Sequence, residues 1–364
     1  MSTTGPRRRV GIEKLRGYPC SAALDYRLLA EVRGEDPDHP TKLLFMDERS
    51  VNPCWEDPVT MAVNAAKPML TAEDLESIEL LIVGTESSPD QGKPISTFVH
   101  RFLGVGPNCR NFETKHACYG GTSGVMMAAH WVLSGVAPGK KALVLAADQS
   151  RMNLNERWEY VMGGGGCAML ISDQPDVVEL ELETNAYWTK EVGDTFRPTS
   201  KEEAGNTEES LYCYLEALDG AYDHFKRKNG FELDADFQHH IYHVPFSAMS
   251  RRAHRAMFKR EYGLSGAEIE QSFERKVLPS ITYSRRMGGI YTAANFIGML
   301  GTIDASPELK PGDRMSVFSY GSGSCAEMYA ARVGDQAKEW VASTNMKERL
   351  DRRRMLTVPE YEAV

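Results

Sequence analysis

Three apolar runs of strand length constrain this chain more than any other feature. Residues 78–84 (Ile-Glu-Leu-Leu-Ile-Val-Gly), 142–147 (Ala-Leu-Val-Leu-Ala-Ala) and 167–172 (Cys-Ala-Met-Leu-Ile-Ser) are apolar at successive positions rather than at every second one. A strand of that kind is buried on both faces, so its sheet needs helices on both sides. Helical spacing supplies them. Residues 57–70 open with Asp57-Pro58, a cap followed by proline at the first helical position. Residues 210–228 carry Leu211, Tyr214, Leu215, Leu218, Tyr222 and Phe225 on one face, and residues 290–300 form an apolar helix. Residues 21–33 read as an amphipathic helix, and residues 10–15, 177–183 and 315–320 as further strands. Strands and helices thus alternate through both halves of a 364-residue chain, which predicts a layered α/β fold.

In open α/β sheets the chemistry gathers at the carboxyl ends of strands. Residues 78–84 run into Thr85-Glu86-Ser87-Ser88, which puts a carboxylate there; otherwise Glu86 is a solvated loop acid. Cys118-Tyr-Gly-Gly puts a cysteine at a sharp turn before a helical run in which Val125, Met126, Ala128, Ala129, Val132 and Leu133 recur at threes and fours. A helix N-terminus offers unpaired N–H groups and a positive dipole end, which lower a thiol's pKa and can hold an oxyanion. The plainer reading of Cys118 is a small buried hydrophobe.

Other signals exclude more than they assign. Net charge of −9 argues against nucleic-acid binding. The seven cysteines are odd in number and scattered without a C-x-x-C pair, which indicates a reducing, cytoplasmic setting. The N-terminus carries Arg7-Arg8-Arg9 without the apolar run of a signal peptide, and no segment is apolar enough to span a membrane. Gly163-Gly-Gly-Gly166 precedes a strand and lacks the Lys-Ser/Thr of a phosphate loop, so close backbone approach is its expected role. His239, His240 and His243 lie on a strand whose neighbours face opposite ways, with no acid or cysteine at ligand spacing, so no metal site is expected. His243, at the strand's end before Pro245, is placed as a lone acid–base. The helix after it carries Arg251, Arg252, Arg255, Lys259 and Arg260, either a docking face or a solvated one.

Five segments in register resemble the hydroxymethylglutaryl-CoA synthase family of the thiolase superfamily. They are Val83-Gly-Thr-Glu-Ser, Lys115-His-Ala-Cys-Tyr-Gly-Gly-Thr, His243-Val-Pro-Phe, residues 57–68 (Asp-Pro-Val-Thr-Met-Ala-Val-Asn-Ala-Ala-Lys-Pro) and Phe318-Ser-Tyr-Gly-Ser-Gly323. The match runs from about Val10 to Val333. The stretch from His243 to Arg255, Ala248 where CoA-using members tend to carry lysine, Asp194-Thr-Phe-Arg-Pro-Thr-Ser200 and Gly205-Asn-Thr-Glu are closer to the polyketide β-branching branch. The resemblance implies a five-layered α-β-α-β-α thiolase fold of two similar halves, 1–175 (with Glu86 and Cys118) and 176–364 (with His243), usually dimeric.

It implies that Cys118, as a thiolate stabilised by its helix and by His243, takes an acetyl group from a carrier thioester. Glu86 then removes a methyl proton, and the enolate attacks the β-ketone of an acceptor chain held by His243. It assigns substrate contacts to Gly166, Phe196, Gly289, Tyr320, Gly321 and Ser322. Gly289 stands where the family usually has an asparagine, so the acceptor-side hydrogen bond must come from elsewhere. The protein itself binds no cofactor; its substrates ride on the phosphopantetheine of acyl carrier proteins, donor and acceptor, or of CoA. Arg33, Arg251, Arg252, Arg255 and Lys259 would supply the docking charge for an acidic carrier. Two alternatives stand beside this reading, a CoA-using synthase of isoprenoid metabolism and a catalytically silent partner subunit of the same fold. The chain is also expected to stop short of its relatives' C-terminus.

Overall fold

The computed structural model describes residues 8–150, 154–199 and 202–364; residues 1–7 and Ser200, which the readings above touch, lie outside the described residues. Nine strands form the main sheet: β1 (Gly11–Pro19), β2 (Ile78–Gly84), β3 (Arg110–Thr114), β4 (Lys141–Gln149), β5 (Gly164–Ser172), β6 (Val178–Thr189), β7 (His239–Tyr242), β8 (Arg314–Gly321) and β9 (Cys325–Val333). Their order is β7-β8-β9-β6-β1-β5-β4-β2-β3, with β2 parallel to both β3 and β4 and β7 parallel to β8. The strands of residues 11–172 and those of residues 178–333 meet at a narrow seam, where only Gly11↔Glu179 and Ile12↔Val178 pair.

Alternation along the strands explains the layers. Leu81, Val83, Leu143, Leu145 and Leu170 point to one face, where Met61, Ala62 and Ala65 of α1 (Pro58–Ala66) cover them. Leu80, Ile82, Val144, Met169 and Ile171 point to the other, against Val125, Ala128 and Ala129 of α2 (Gly120–Ser134). On the far side α3 (Thr207–Asn229) packs on β6 and β9, α4 (Ala248–Tyr262) follows β7, and α5 (Ala294–Ala305) packs on β1 and β7. Helices α2 and α5 are the buried middle layer, so the architecture is the expected α/β layering. No helix of the described residues is long and apolar enough to cross a membrane.

Three local expectations need correction. Residues 21–33 split into a strand (Ala22–Asp25) and a helix (Tyr26–Arg33), because Asp25 caps the helix by accepting the backbone N–H of Arg27 at 2.7 Å. The helix expected over 290–300 starts later, at Ala294, after a short 3-10 turn in which Tyr291 has φ +49°. Three of the four glycines of 163–166 lie inside β5 rather than before it. Their role is close approach: a Cβ on Gly163 would lie 2.0 Å from the Met287 carbonyl oxygen, and one on Gly165 would lie 2.7 Å from Met287 Cε. Sequence reading also passed over β3 and a small hairpin (Thr195–Thr199 with Glu202–Gly205) that stands apart from the main sheet.

Candidate active site

Backbone-to-backbone packing builds the floor of the site. A Cβ on Gly84, at the end of β2, would lie 2.5 Å from the Gly121 amide nitrogen, and one on Gly121 would lie 2.3 Å from the Thr292 carbonyl oxygen. Glycine at both places lets the strand end, the start of α2 and the turn before α5 touch. The turn carrying Cys118 is tight: Tyr119 N–H donates to the His116 carbonyl and Gly120 N–H to that of Ala117, which holds φ +41°. Left-handed backbone at an alanine is uncommon, and here it aims the residue that follows into the cavity.

Asp148, at the end of β4 and fully buried, organises the neighbouring strand end. It accepts hydrogen bonds from Thr85 Oγ1 (2.8 Å), the Glu86 N–H (2.9 Å), Ser87 Oγ (2.8 Å), the Thr292 N–H (3.1 Å) and the Thr292 hydroxyl. Glu86 is thereby fixed with Oε1 3.3 Å from Cys118 Sγ, which donates to it. On its other side Arg197 Nε lies 3.4 Å from Glu86 Oε2, an ion-pair distance without hydrogen-bond alignment. Burial, with Asp148 and Glu203 nearby, outweighs Arg197 and pushes the Glu86 carboxyl up to about 7.

The thiol is shifted opposite to expectation. A helix N-terminus favours an anion by about 0.3–1 kcal/mol. A thiolate 3.3 Å from a carboxylate meets a repulsion of about 5 kcal/mol at an effective dielectric of about 20. Burial and Glu86 therefore hold Cys118 well above the ordinary thiol range, as a protonated donor to that carboxylate. His243 is no cationic partner for it either. Burial drives the imidazole down to about 3, so the ring is neutral. Its main chain is pinned by Phe318 O (2.7 Å) and by the Tyr214 hydroxyl (2.7 Å), while its ring is buried beside the Asn295 side chain, the one polar group that interacts with it, and meets no further hydrogen-bond partner among the described residues.

Glu86, Cys118 and His243 all line one cavity of about 920 Å³. Leu211, Tyr214, Phe246 and Met249 give it an apolar wall, Trp158 and Tyr160 another, and Arg33, Glu35 and Arg252 lie on its lining. Of the expected substrate contacts, Gly289, Tyr320 and Ser322 line it, whereas Gly166, Phe196 and Gly321 do not. Gly166 is buried in β5, Phe196 is 54% exposed on the hairpin, and Gly321 packs against the nucleophile turn, 2.3 Å from the His116 carbonyl oxygen at a would-be Cβ. Gly289 has no room for a side chain: its Cβ would lie 2.3 Å from the Pro245 carbonyl oxygen. No side chain at position 289 can therefore supply the hydrogen bond expected of an asparagine there.

Among the basic residues the structure separates free charge from neutralised charge. Arg33 is paired with Glu159 (3.0 Å) and Glu362 (2.6 Å) and its side chain is 12% exposed, so it is a structural ion-pair residue rather than a free docking cation. Arg251 pairs with Glu270, and Arg260 with Asp219 and Asp223. Arg252, Arg255 and Lys259 are exposed on α4 and make no ion pair among the described residues, and Arg252 reaches the cavity. His239 and His240 turn away from the site, to the Lys276 carbonyl (3.2 Å) and Ser316 Oγ (2.7 Å). Among the described residues no group of three or more His, Cys, Asp and Glu side chains is placed to hold a metal. Asp148, Arg197 and Glu203 escaped sequence reading, because each reaches Glu86 only through the fold.

Two family models cover much of the chain: the hydroxymethylglutaryl-coenzyme A synthase N terminal over residues 8–176 and its C terminal over residues 265–364. The polyketide biosynthesis 3-hydroxy-3-methylglutaryl-ACP synthase PksG of Bacillus subtilis (strain 168) is 39% identical over 97% of this chain and 87% of its own. The hydroxymethylglutaryl-CoA synthase of Enterococcus faecalis is 33% identical over 98% of this chain and 91% of its own. The crystal structure of the curacin biosynthetic pathway HMG synthase in complex with holo donor-ACP matches with a TM-score of 0.94 at 39% identity, over 98% of this chain and 88% of that one.

Proposed function

This chain belongs to the hydroxymethylglutaryl-coenzyme A synthase family, and from that premise we propose that it adds an acetyl group to the β-ketone of a polyketide acyl-carrier-protein thioester. The observation that carries the reading is the meeting of three groups in one cavity: a thiol donating to a carboxylate at 3.3 Å, and a buried, neutral histidine.

The chemistry follows in two stages. Cys118 sulfur attacks the acetyl thioester of the donor; the carrier's thiol leaves with the proton Cys118 gives up, and an acetyl-cysteine remains. Acetylation also removes the thiol proton from Glu86 Oε1 and leaves the acetyl methyl beside the carboxylate. Glu86 takes a methyl proton, and the resulting enolate carbon bonds to the ketone carbon of the acceptor. A carboxylate raised to about 7 is a stronger base than an ordinary one and is still about half ionised near neutral pH. A neutral His243 donates a ring N–H to the ketone oxygen and stabilises the alkoxide that forms; the proton Glu86 took from the methyl group ends on that oxygen, which restores the carboxylate. Water finally cleaves the thioester to Cys118 and leaves a carboxylate on the new branch.

Carrier protein is the proposed bearer of both substrates. The curacin synthase binds a donor-ACP, and here Arg252 on the cavity lining, with Arg255 and Lys259 exposed on the same helix, leaves positive charge without an ion-pair partner among the described residues. The two halves, 1–175 and 176–364, would work as one unit in a cytoplasmic homodimer. The test is direct: incubate the protein with acetyl-carrier protein or acetyl-CoA, then add 3-oxoacyl-carrier protein, and follow protein and carrier by intact mass. Acetyl transfer to Cys118 from the carrier in preference to CoA, followed by a branched acceptor, supports the proposal. Faster loading from CoA would favour the isoprenoid reading, and failure to load from either would favour a silent subunit.

A further inference from the structure

Arg197 is placed between two carboxylates, and no step of the reaction above uses it. It stands on the first strand of the Thr195–Thr199/Glu202–Gly205 hairpin, and Glu203 on the second. Its Nη2 lies 2.5 Å from Glu203 Oε1, while its Nε lies 3.4 Å from Glu86 Oε2. The guanidinium is held from every side. It packs 4.8 Å above the Tyr291 ring, donates to Ser87 Oγ (3.2 Å), and reaches the Gln149 carbonyl (3.4 Å). Tyr291 in turn donates its hydroxyl to Glu203 at 2.9 Å. The Arg197, Glu86 and Glu203 side chains are 12%, 13% and 4% exposed, so water screens these charges poorly.

We propose that Arg197 and Glu203 are positioning residues for the condensation step, a guanidinium shared unequally between two carboxylates so that Glu86 receives only part of its charge. The inference rests on Glu86 being the base. The charged and titratable groups facing Glu86 are Arg197 and Glu203 from the hairpin, Asp148 from β4, Cys118 from the turn before α2 and the Tyr291 hydroxyl from the turn before α5. One guanidinium cannot neutralise three carboxylates. The nearer one, Glu203, draws Arg197 away, and Glu86 keeps the raised basicity that proton abstraction from a methyl group needs. Full possession of Arg197 would make Glu86 a weaker base; loss of Arg197 would keep it protonated at neutral pH.

The two hairpin residues must therefore act with opposite sign. The experiment is the pH dependence of single-turnover condensation, starting from enzyme already acetylated on Cys118, for wild type, Arg197→Gln, Arg197→Lys and Glu203→Gln. The acidic midpoint should rise by about one pH unit in Arg197→Gln, be largely restored in Arg197→Lys, and fall by about half a unit in Glu203→Gln. A purely structural role would lower rates without moving the midpoints apart. Glu203→Gln, an isostere, reads the proposal even if Arg197→Gln fails to fold: a midpoint that stays or rises overturns it, as does movement of both variants in one direction. Failure of the underlying reading looks different, because Glu86→Gln would then leave wild-type condensation intact.

Discussion

The two walls of the cavity solve opposite problems. On one side Glu86 and Cys118 line it with Asp148, Arg197 and Glu203 behind them, and each of the five sits within hydrogen-bond or ion-pair reach of at least one other. On the other, His243, Tyr214 and Gly289 carry no charge. A wall that must pull a proton from carbon needs a base whose strength is set by neighbouring charges. A wall that must receive a ketone needs a neutral donor in a place dry enough for the hydrogen bond to count. Here charge is gathered around the base, while the histidine that faces the ketone is neutral.

Removing the base is the most severe way to break this arrangement. Glu86→Gln should leave the acetyl-Cys118 adduct forming and reduce condensation by on the order of 10²–10⁴-fold, read as acetyl-enzyme that accumulates but is not consumed. Equal loss of both half-reactions would make Glu86 structural. His243→Ala attacks the opposite wall, and the loss of one oxyanion donor predicts a fall of about 10²–10³-fold in condensation with acetyl loading largely kept. Loading that fell in parallel would place His243 with the nucleophile instead.

A finer probe reads coupling between charge and thiol. Glu86 holds Cys118 in its protonated form by repulsion of the thiolate and by accepting the thiol's hydrogen bond. Replacing Glu86 by Gln removes the charge, so the thiol titrates at lower pH. The half-maximal pH for iodoacetamide labelling of Cys118 should fall by about one unit or more. An upward shift would mean that the carboxylate assists ionisation, contrary to the 3.3 Å contact seen here.

That thiol also shows where sequence reading reaches its limit. Glu86, Cys118 and His243 stand at strand ends and a turn, but the residues alone left each a plainer reading, and only the resemblance of five segments in register joined them into one site. The sign of the thiol shift was not legible, because the helix N-terminus is visible in the sequence whereas the adjacent carboxylate is a tertiary contact that overwhelms it. The hairpin bearing Arg197 and Glu203 gave no apolar period to detect, since its residues are mostly exposed or half-buried. Edge strand β3 (Arg-Asn-Phe-Glu-Thr) is polar for a similar reason, with no fully buried residue. Buried strands announce themselves; short elements held by side-chain pairs do not.

The smallest effect belongs outside the cavity, on α4. Arg251 and Arg260 face the same solvent as Arg252, Arg255 and Lys259, yet their glutamate and aspartate partners already neutralise them. If an acidic carrier docks here, Arg252→Glu or Arg255→Glu should slow acetyl loading from the carrier about threefold to tenfold, chiefly through the association rate, since exposed charges steer encounter more than they hold the complex. Screening acts over about 10 Å at 0.1 M salt, so the deficit should shrink as salt rises. Loading from a small pantetheine thioester should be unchanged for Arg255→Glu, which lies away from the cavity, and is the control for a damaged site. Arg252 sits 5.5 Å over the Phe246 ring on the cavity wall, so its variant can also slow the small donor modestly. Arg251→Glu, by contrast, breaks a pair that is already neutral and places two acids together. A carrier deficit from Arg251→Glu larger than that from Arg255→Glu would move the docking surface towards the Glu270 side of the helix.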